Sequence, residues 1–142
     1  MRINQTGLDL IKRFEGFRSV VYYDLANKAT IGYGHLIKKG EKFTSITKHE
    51  AECLLKSDVE IAEAAVNRLV KTNLNDNQFS ALVSFVFNLG EGAFSSSTLL
   101  KKLNQNQHSD VPEQILRWHR VGSRPYKGLI KRRAAEAELF IS

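Results

Sequence analysis

An α+β fold, with a small β-hairpin lobe beside a larger all-helical lobe, is what this sequence predicts, on three observations. Between residues 19 and 37, aromatic and β-branched residues bracket a turn that contains Asn27, the pattern of a hairpin. From Thr47 onward the apolar residues recur every three or four positions, the pattern of amphipathic helices. No internal repeat, low-complexity tract or linker divides the 142 residues. That length reads as one domain, residues 1–142, with room for a real core.

Each element has a local justification. Leu8, Ile11 and Phe14 fall at helical intervals, with Thr6 and Asp9 as a capping-box start. Glu15 then ends this first helix, and Gly16 stops it in a left-handed cap. Val20, Val21, Tyr22 and Tyr23 form one arm of the hairpin, Leu25 to Lys28 its turn, and Thr30-Ile31-Gly32-Tyr33-Gly34 the other arm. Asn27 suits that turn because Asn tolerates left-handed dihedrals next best after glycine. Gly32 and Gly34 read as positions where backbone or ligand approaches closely.

Thr47 and Glu50 make a Thr-x-x-Glu capping box, followed by Ala51, Leu54, Leu55, Ala62, Val66 and Leu69 on one face. That helix is long enough to join two lobes. Asn75 with Gln78 opens the next, whose Phe79, Leu82, Val83, Phe85, Val86 and Leu89 surround it almost completely, so it is expected to be buried. Gly90 ends it. Ser96 or Ser97 caps a short helix through Leu103, and Ser109 or Asp110 caps another with Pro112 in its first turn. Gly122-Ser123-Arg124-Pro125 breaks that helix, and a last one carries Leu129, Ile130, Ala134, Ala137, Leu139 and Phe140. The β lobe is then expected at about residues 16–46, and the helical lobe at about 70–142 plus the N-terminal helix.

Composition narrows the function class. With 42% hydrophobic and 25% charged residues, the chain belongs among globular rather than disordered proteins. The single cysteine, Cys53, cannot form an intramolecular disulfide and is expected as a buried free thiol, consistent with a reducing cytoplasm. The N-terminus lacks the apolar core of a signal peptide, and the longest uncharged stretch, Asn77 to Gly90, is 14 residues, short of a membrane span. His35, His49, His108 and His119 have no metal spacing, and no glycine-rich phosphate loop is present, so no metal or cofactor is expected.

The formal charge of +6 is unevenly placed. Between residues 117 and 133 stand Arg117, Arg120, Arg124, Lys127, Lys131, Arg132 and Arg133, with no Asp or Glu. Such a stripe suits an anionic surface, whether nucleic acid, lipid or an acidic wall polymer, or is simply a solvated helix face.

Glu15, Asp24 and Thr30 carry the sharper signal. Two carboxyls across a cleft are the chemistry of glycoside hydrolysis, one protonating the leaving oxygen and the other handling water or the sugar cation. Glu15 sits at the negative end of a helix dipole, which favours the protonated form a general acid needs. Asp24 enters a turn where it can stay ionised. Taken singly, each of the three is an ordinary residue at a helix end, a turn or a strand.

Their spacing, with the run Thr30-Ile31-Gly32-Tyr33-Gly34-His35, resembles the phage-type lysozymes, the endolysins of tailed bacteriophages grouped as glycoside hydrolase family 24. The resemblance continues through Asn88-Leu89-Gly90, Phe94, Ser97-Thr98-Leu99-Leu100, Trp118 and Gly128 to Ala134, spanning nearly the whole chain. It implies a lysozyme-like fold, its lobes joined by the long helix. It also implies inverting hydrolysis of the bond between N-acetylmuramic acid and N-acetylglucosamine in peptidoglycan. Glu15 is then the general acid, Asp24 and Thr30 manage the attacking water, Leu36 and Phe87 wall the sugar cleft, and Ser97 is a polar contact. His35 pairs with Asp58 in this reading. A glycine usually stands in the family where Asn27 does here, and an asparagine that contacts sugar falls near Pro112, so that contact is not carried over.

The resemblance further implies a monomer made in the host cytoplasm that reaches the wall once the membrane is opened, with peptidoglycan and no nucleic acid as partner. Two alternatives stand beside it. A lytic transglycosylase needs the acid but not the water-handling Asp24 and Thr30. A basic helical module for membrane or nucleic acid would use residues 117–133 and leave the acid pair unexplained.

Overall fold

The computed structural model describes all 142 residues. Helix α1 (Gln5–Glu15) is capped by Asn4 rather than Thr6, the Asn4 side chain accepting from the Gly7 N–H at 2.9 Å. Tertiary contacts select this cap: the Asn4 N–H donates to Ser80 Oγ at 2.9 Å and its Nδ2 to Asn77 Oδ1 at 2.8 Å. Asp9 is left to accept from Gln5 Nε2. At the other end Gly16 has φ 69° and ψ 157°, a positive φ as expected but an extended ψ, so the chain leaves the helix directly into a strand.

Strands β1 (Arg18–Tyr23), β2 (Ala29–Gly32) and β3 (His35–Leu36) form an antiparallel sheet in that order. The first two are the expected hairpin, with Asn27 at φ 60° in its turn. The third is too short to give a periodic signal. Register pairs Tyr22 with Thr30 and Thr30 with Leu36, which puts these side chains in one row on one face of the sheet.

Helix α2 (Lys48–Leu69) carries the complete Thr47–Glu50 capping box. Its first half packs beneath the sheet, where Ala51 lies under Gly32, and its end reaches α4 (Glu91–Ser95) through an Arg68–Glu91 ion pair. It thereby joins the two ends of the molecule. Cys53 lies exposed on its outer face, not buried, because the inward face is taken by Ala51, Leu55 and Val59. The His49 Nε2 one turn earlier stands 3.9 Å from its sulfur.

Helix α3 (Asp76–Leu89), with its Asn75–Gln78 capping box, is buried without interruption from Phe79 to Val86. It is enclosed by α1, α2 and α7 (Lys127–Ile141). Ser97 caps α5 (Thr98–Asn104) as expected. Asp110 stands at the N-cap of α6 (Val111–Leu116), which grows out of a 3₁₀ turn, but its side chain makes no capping hydrogen bond and pairs with Lys102 at 3.3 Å instead. The expected break after α6 is itself a tight hairpin, β4 (Arg120–Val121) with β5 (Arg124–Pro125). In α7 the inward face is Arg132, Arg133, Glu136, Ala137, Leu139 and Phe140, while Ile130 and Ala134 face out. One hydrophobic core runs from Ile31 and Ile46 beneath the sheet to Val111, Ile115 and Phe140. No helix is long and apolar enough to cross a membrane.

Candidate active site

Glu15, the last residue of α1, keeps 17% of its side chain exposed. Its Oε2 accepts a hydrogen bond from Arg132 Nη1 at 2.6 Å. The helix end alone therefore does not define its surroundings; a guanidinium from 117 residues later does. Arg132 is in turn held by Glu136 Oε2, 3.3 Å from its Nε, and Ser84 Oγ donates to the same oxygen at 2.5 Å. Arg133 Nε lies 2.7 Å from Glu136 Oε1, close enough for an ion pair although too poorly angled for a hydrogen bond. The two guanidiniums thus face the carboxyls of Glu15 and Glu136. Such pairing matters because an unpaired buried charge is costly. Burial pushes the Arg133 guanidinium below its ordinary range while Glu136 pulls it back, and an arginine stays charged regardless.

Asp24 sits in the hairpin turn. Its Oδ1 accepts from the Ala26 N–H at 2.9 Å and the Lys28 N–H at 2.8 Å, which fixes the carboxyl plane and leaves Oδ2 free of protein partners. Thr30 is 2% exposed, and its hydroxyl donates to the Lys28 carbonyl at 2.8 Å. Having spent its proton there, Thr30 Oγ1 has only lone pairs left to offer. Both residues thus present acceptors, the chemistry that orients a water by its protons.

All three residues line one cleft of about 300 Å³, with Leu36 and Phe87 on its walls beside Ile61 and Ala62. A second cavity of about 660 Å³ adjoins it, lined by Leu25, Arg120, Tyr126 and Leu129. The two meet at Glu15, Tyr22, Asp24 and Asn88, so the carboxyls stand midway along a continuous groove. Ser97 lines neither cavity. It is buried at the start of α5, donating to the Phe94 carbonyl at 2.7 Å and accepting from the Leu100 N–H at 3.1 Å.

Four residues of the site were given no role in the groove by the sequence: Tyr22, Gly34, Asn88 and Arg132, although Gly34 was expected at a close approach. Tyr22 stands at the junction of the cavities, where burial and then the Glu15 charge push its phenol upward, so it remains a hydrogen-bond donor. Gly34, at φ 75°, lies against the Glu15 carboxyl. Arg132 and Arg133, four and three residues before Glu136, offer a clue, since charges at that spacing share a helix face. The basic stripe that the sequence suggests over residues 117–133 does not hold at these two positions: Arg132 and Arg133 are 4% and 0% exposed and bonded inside the protein, whereas Arg117, Arg120, Arg124, Lys127 and Lys131 are exposed.

His35 is buried beneath the sheet and contacts Asp58 through Nδ1 at 2.7 Å and Glu41 through Nε2 at 3.0 Å. The Lys38 N–H and then the His35 ring hold the Glu41 carboxyl below its usual range. No group of three or more His, Cys, Asp or Glu side chains is arranged to hold a metal.

Residues 12–136 match the family model described as phage lysozyme. Over 144 residues the chain is 40% identical to the endolysin of Bacillus phage B103, covering all of this chain and 55% of that protein. It is 43% identical to the endolysin of Acyrthosiphon pisum secondary endosymbiont phage 1, covering all of this chain and 99% of the other. The solved endolysin from Escherichia coli O157:H7 phage FAHEc1 superposes with a TM-score of 0.89 at 36% identity, covering 100% and 94% of the two chains. The chain spans about half the length of the Bacillus phage endolysins it matches.

Proposed function

The chain belongs to the phage lysozyme family, and we propose that it is an endolysin that hydrolyses the β-1,4 bond between N-acetylmuramic acid and N-acetylglucosamine in peptidoglycan. The observation that carries this reading is the shared groove of Glu15, Asp24 and Thr30, with each side chain anchored on one side and open on the other. In the proposed mechanism a water lies hydrogen-bonded between Asp24 Oδ2 and Thr30 Oγ1, attacks the anomeric carbon and yields one proton to Asp24, its other hydrogen staying on the product hydroxyl. Glu15 protonates the departing oxygen. Because Arg132 occupies Oε2, the proton leaves from Oε1, on the side where Gly34 has no side chain. The ionised Asp24 stabilises the positive charge that develops on the sugar.

Attack by a water on the face opposite the leaving group inverts the anomeric centre, and inverting pairs stand roughly 6.5–9.5 Å apart to admit that water. Residues 16–46 form one lip of the groove, and α1 with residues 70–142 the other. Leu36 and Phe87 are proposed to line the bound glycan, and Ser97 to support it indirectly through the α5 turn. The enzyme acts as a monomer on the wall after the membrane has been opened, and Arg117, Arg120, Arg124, Lys127 and Lys131 aid contact with anionic envelopes.

The test is turbidity loss of purified cell walls, wild type against Glu15→Gln. The amide keeps the shape and an acceptor for Arg132 but cannot give up a proton, and general acid catalysis is typically worth about 10²–10⁴-fold. Near-normal lysis by a folded Glu15→Gln protein overturns the assignment. Product analysis separates the runner-up: a transglycosylase leaves an anhydro end, the proposed hydrolase a reducing end of inverted configuration.

A further inference from the structure

Arg133 is wholly buried, yet it makes one bond that leads out of the core: its Nη2 donates to Asn88 Oδ1 at 2.7 Å. A guanidinium has no acceptor, so the amide can meet it only through its oxygen. The guanidinium therefore fixes the orientation of the Asn88 amide. Its Nδ2, with two N–H donors, makes no hydrogen bond within the protein. Asn88 lines both cavities at the point where they meet, beside Glu15, Tyr22 and Asp24.

What such a donor recognises follows from its neighbours. Asp24 and Thr30 offer lone pairs to the groove, so sugar hydroxyls find acceptors there without help. Where the two cavities meet, a group that only accepts finds two uncharged side-chain donors, the Tyr22 hydroxyl and the Asn88 amide, since the donors of Arg132 are taken by Glu15, Glu136 and Ser84. The proposed substrate carries several oxygens that only accept, among them the glycosidic and lactyl oxygens, and the acetamido carbonyl is the one such substituent that both sugars beside the scissile bond carry. We propose that Asn88 reads the acetamido carbonyl of a sugar next to the scissile bond, and that buried Arg133 serves to lock the amide in the donating orientation. This inference rests on the glycoside-hydrolase reading of the groove.

Two measurements test it. In the first, the Asn88 side-chain ¹⁵N–¹H signals are followed as an N-acetylglucosamine tetramer or the matching glucosamine tetramer is added. The acetylated oligomer is expected to shift both N–H resonances and the free-amine oligomer to leave them in place. Equal response to the two, or none to the acetylated one, overturns the proposal. In the second, kcat/KM is measured for wild type and Asn88→Asp on soluble peptidoglycan strands before and after enzymatic de-N-acetylation. Asn88→Asp keeps an oxygen for Arg133 and so keeps the fold, but removes the donors. The preference of wild type for acetylated strands is expected to fall by about tenfold or more, the worth of one hydrogen bond to a site left unsatisfied. Because the free amines of de-N-acetylated strands are cations that an added carboxylate itself attracts, the neutral Asn88→Ala is measured beside it, and the preference must fall in both variants. An unchanged preference overturns the role of Asn88, whereas wild type failing to cleave either strand would instead indict the proposed function.

Discussion

A side chain on Gly34 would place its Cβ 2.6 Å from the carboxyl carbon of Glu15, and closer still to Oε1. The turn between β2 and β3 and the end of α1 are thus packed as tightly as a missing methyl group allows. Gly34 also holds φ 75°, which an L side chain adopts only with strain. Gly34→Ala is therefore expected to displace the Glu15 carboxyl rather than simply to loosen the fold. A shift of about 1 Å at a reacting group can cost about 100-fold in rate, while the backbone strain itself costs about 1–2 kcal/mol. Wall-hydrolysis rate and urea unfolding of the same variant check this; full activity in the folded protein refutes it.

Glu136 is the hinge of the buried charge network, receiving Arg132, Arg133 and Ser84. Glu136→Gln keeps its volume but leaves two guanidiniums inside the protein with the Glu15 carboxyl as their one remaining acidic partner. Breaking a buried pair by removing one partner typically costs about 3–5 kcal/mol. Urea denaturation should register a loss of that order, together with weaker activity because Arg132 no longer holds Glu15. A change below about 1 kcal/mol means the network is not stabilising in this way.

Glu41 gives a dependence on pH. Its folded carboxyl is held below the ordinary value of 4.5 by the Lys38 N–H and then by His35. A lowered folded value means stability that is present above the unfolded value and lost as pH falls through the folded one. The melting-temperature advantage of wild type over Glu41→Gln should therefore be full near neutrality, shrink once pH drops below about 4.5, and vanish below the folded value. An advantage that grows on acidification contradicts the assignment.

The exposed cations of the β4–β5 hairpin and early α7 are expected to serve encounter rather than chemistry. Reversing charge at Arg124, Lys127 and Lys131 should slow lysis of whole cells at low salt, since positive potential raises the rate of meeting an anionic surface. The difference should fade at physiological ionic strength, where exposed charges are screened beyond about 8 Å. Turnover of a soluble muropeptide should hardly change. Equal loss on cells and soluble substrate would place these residues in the groove instead.

Much of this protein was decided locally, and what was local was legible. The capping boxes of Thr47 with Glu50 and of Asn75 with Gln78 set where α2 and α3 begin, because their hydrogen bonds close within four residues. Asn27 set the hairpin turn by tolerating φ 60°, and the acid, acid and hydroxyl spacing marked Glu15, Asp24 and Thr30 as candidates. Tertiary structure decided what depends on partners far along the chain. Asn4 displaced Thr6 as a cap because Ser80 and Asn77 hold it, and Cys53 turned outward because α2 spent its inward face on the sheet. Most of all, Arg132 and Arg133 left the basic stripe for the interior. A run of cations looks the same in sequence whether it meets water or carboxylates; Glu136 is near along the helix, but only the fold brings Glu15 and Asn88 close enough to join it in offsetting the cost of removing two guanidiniums from water.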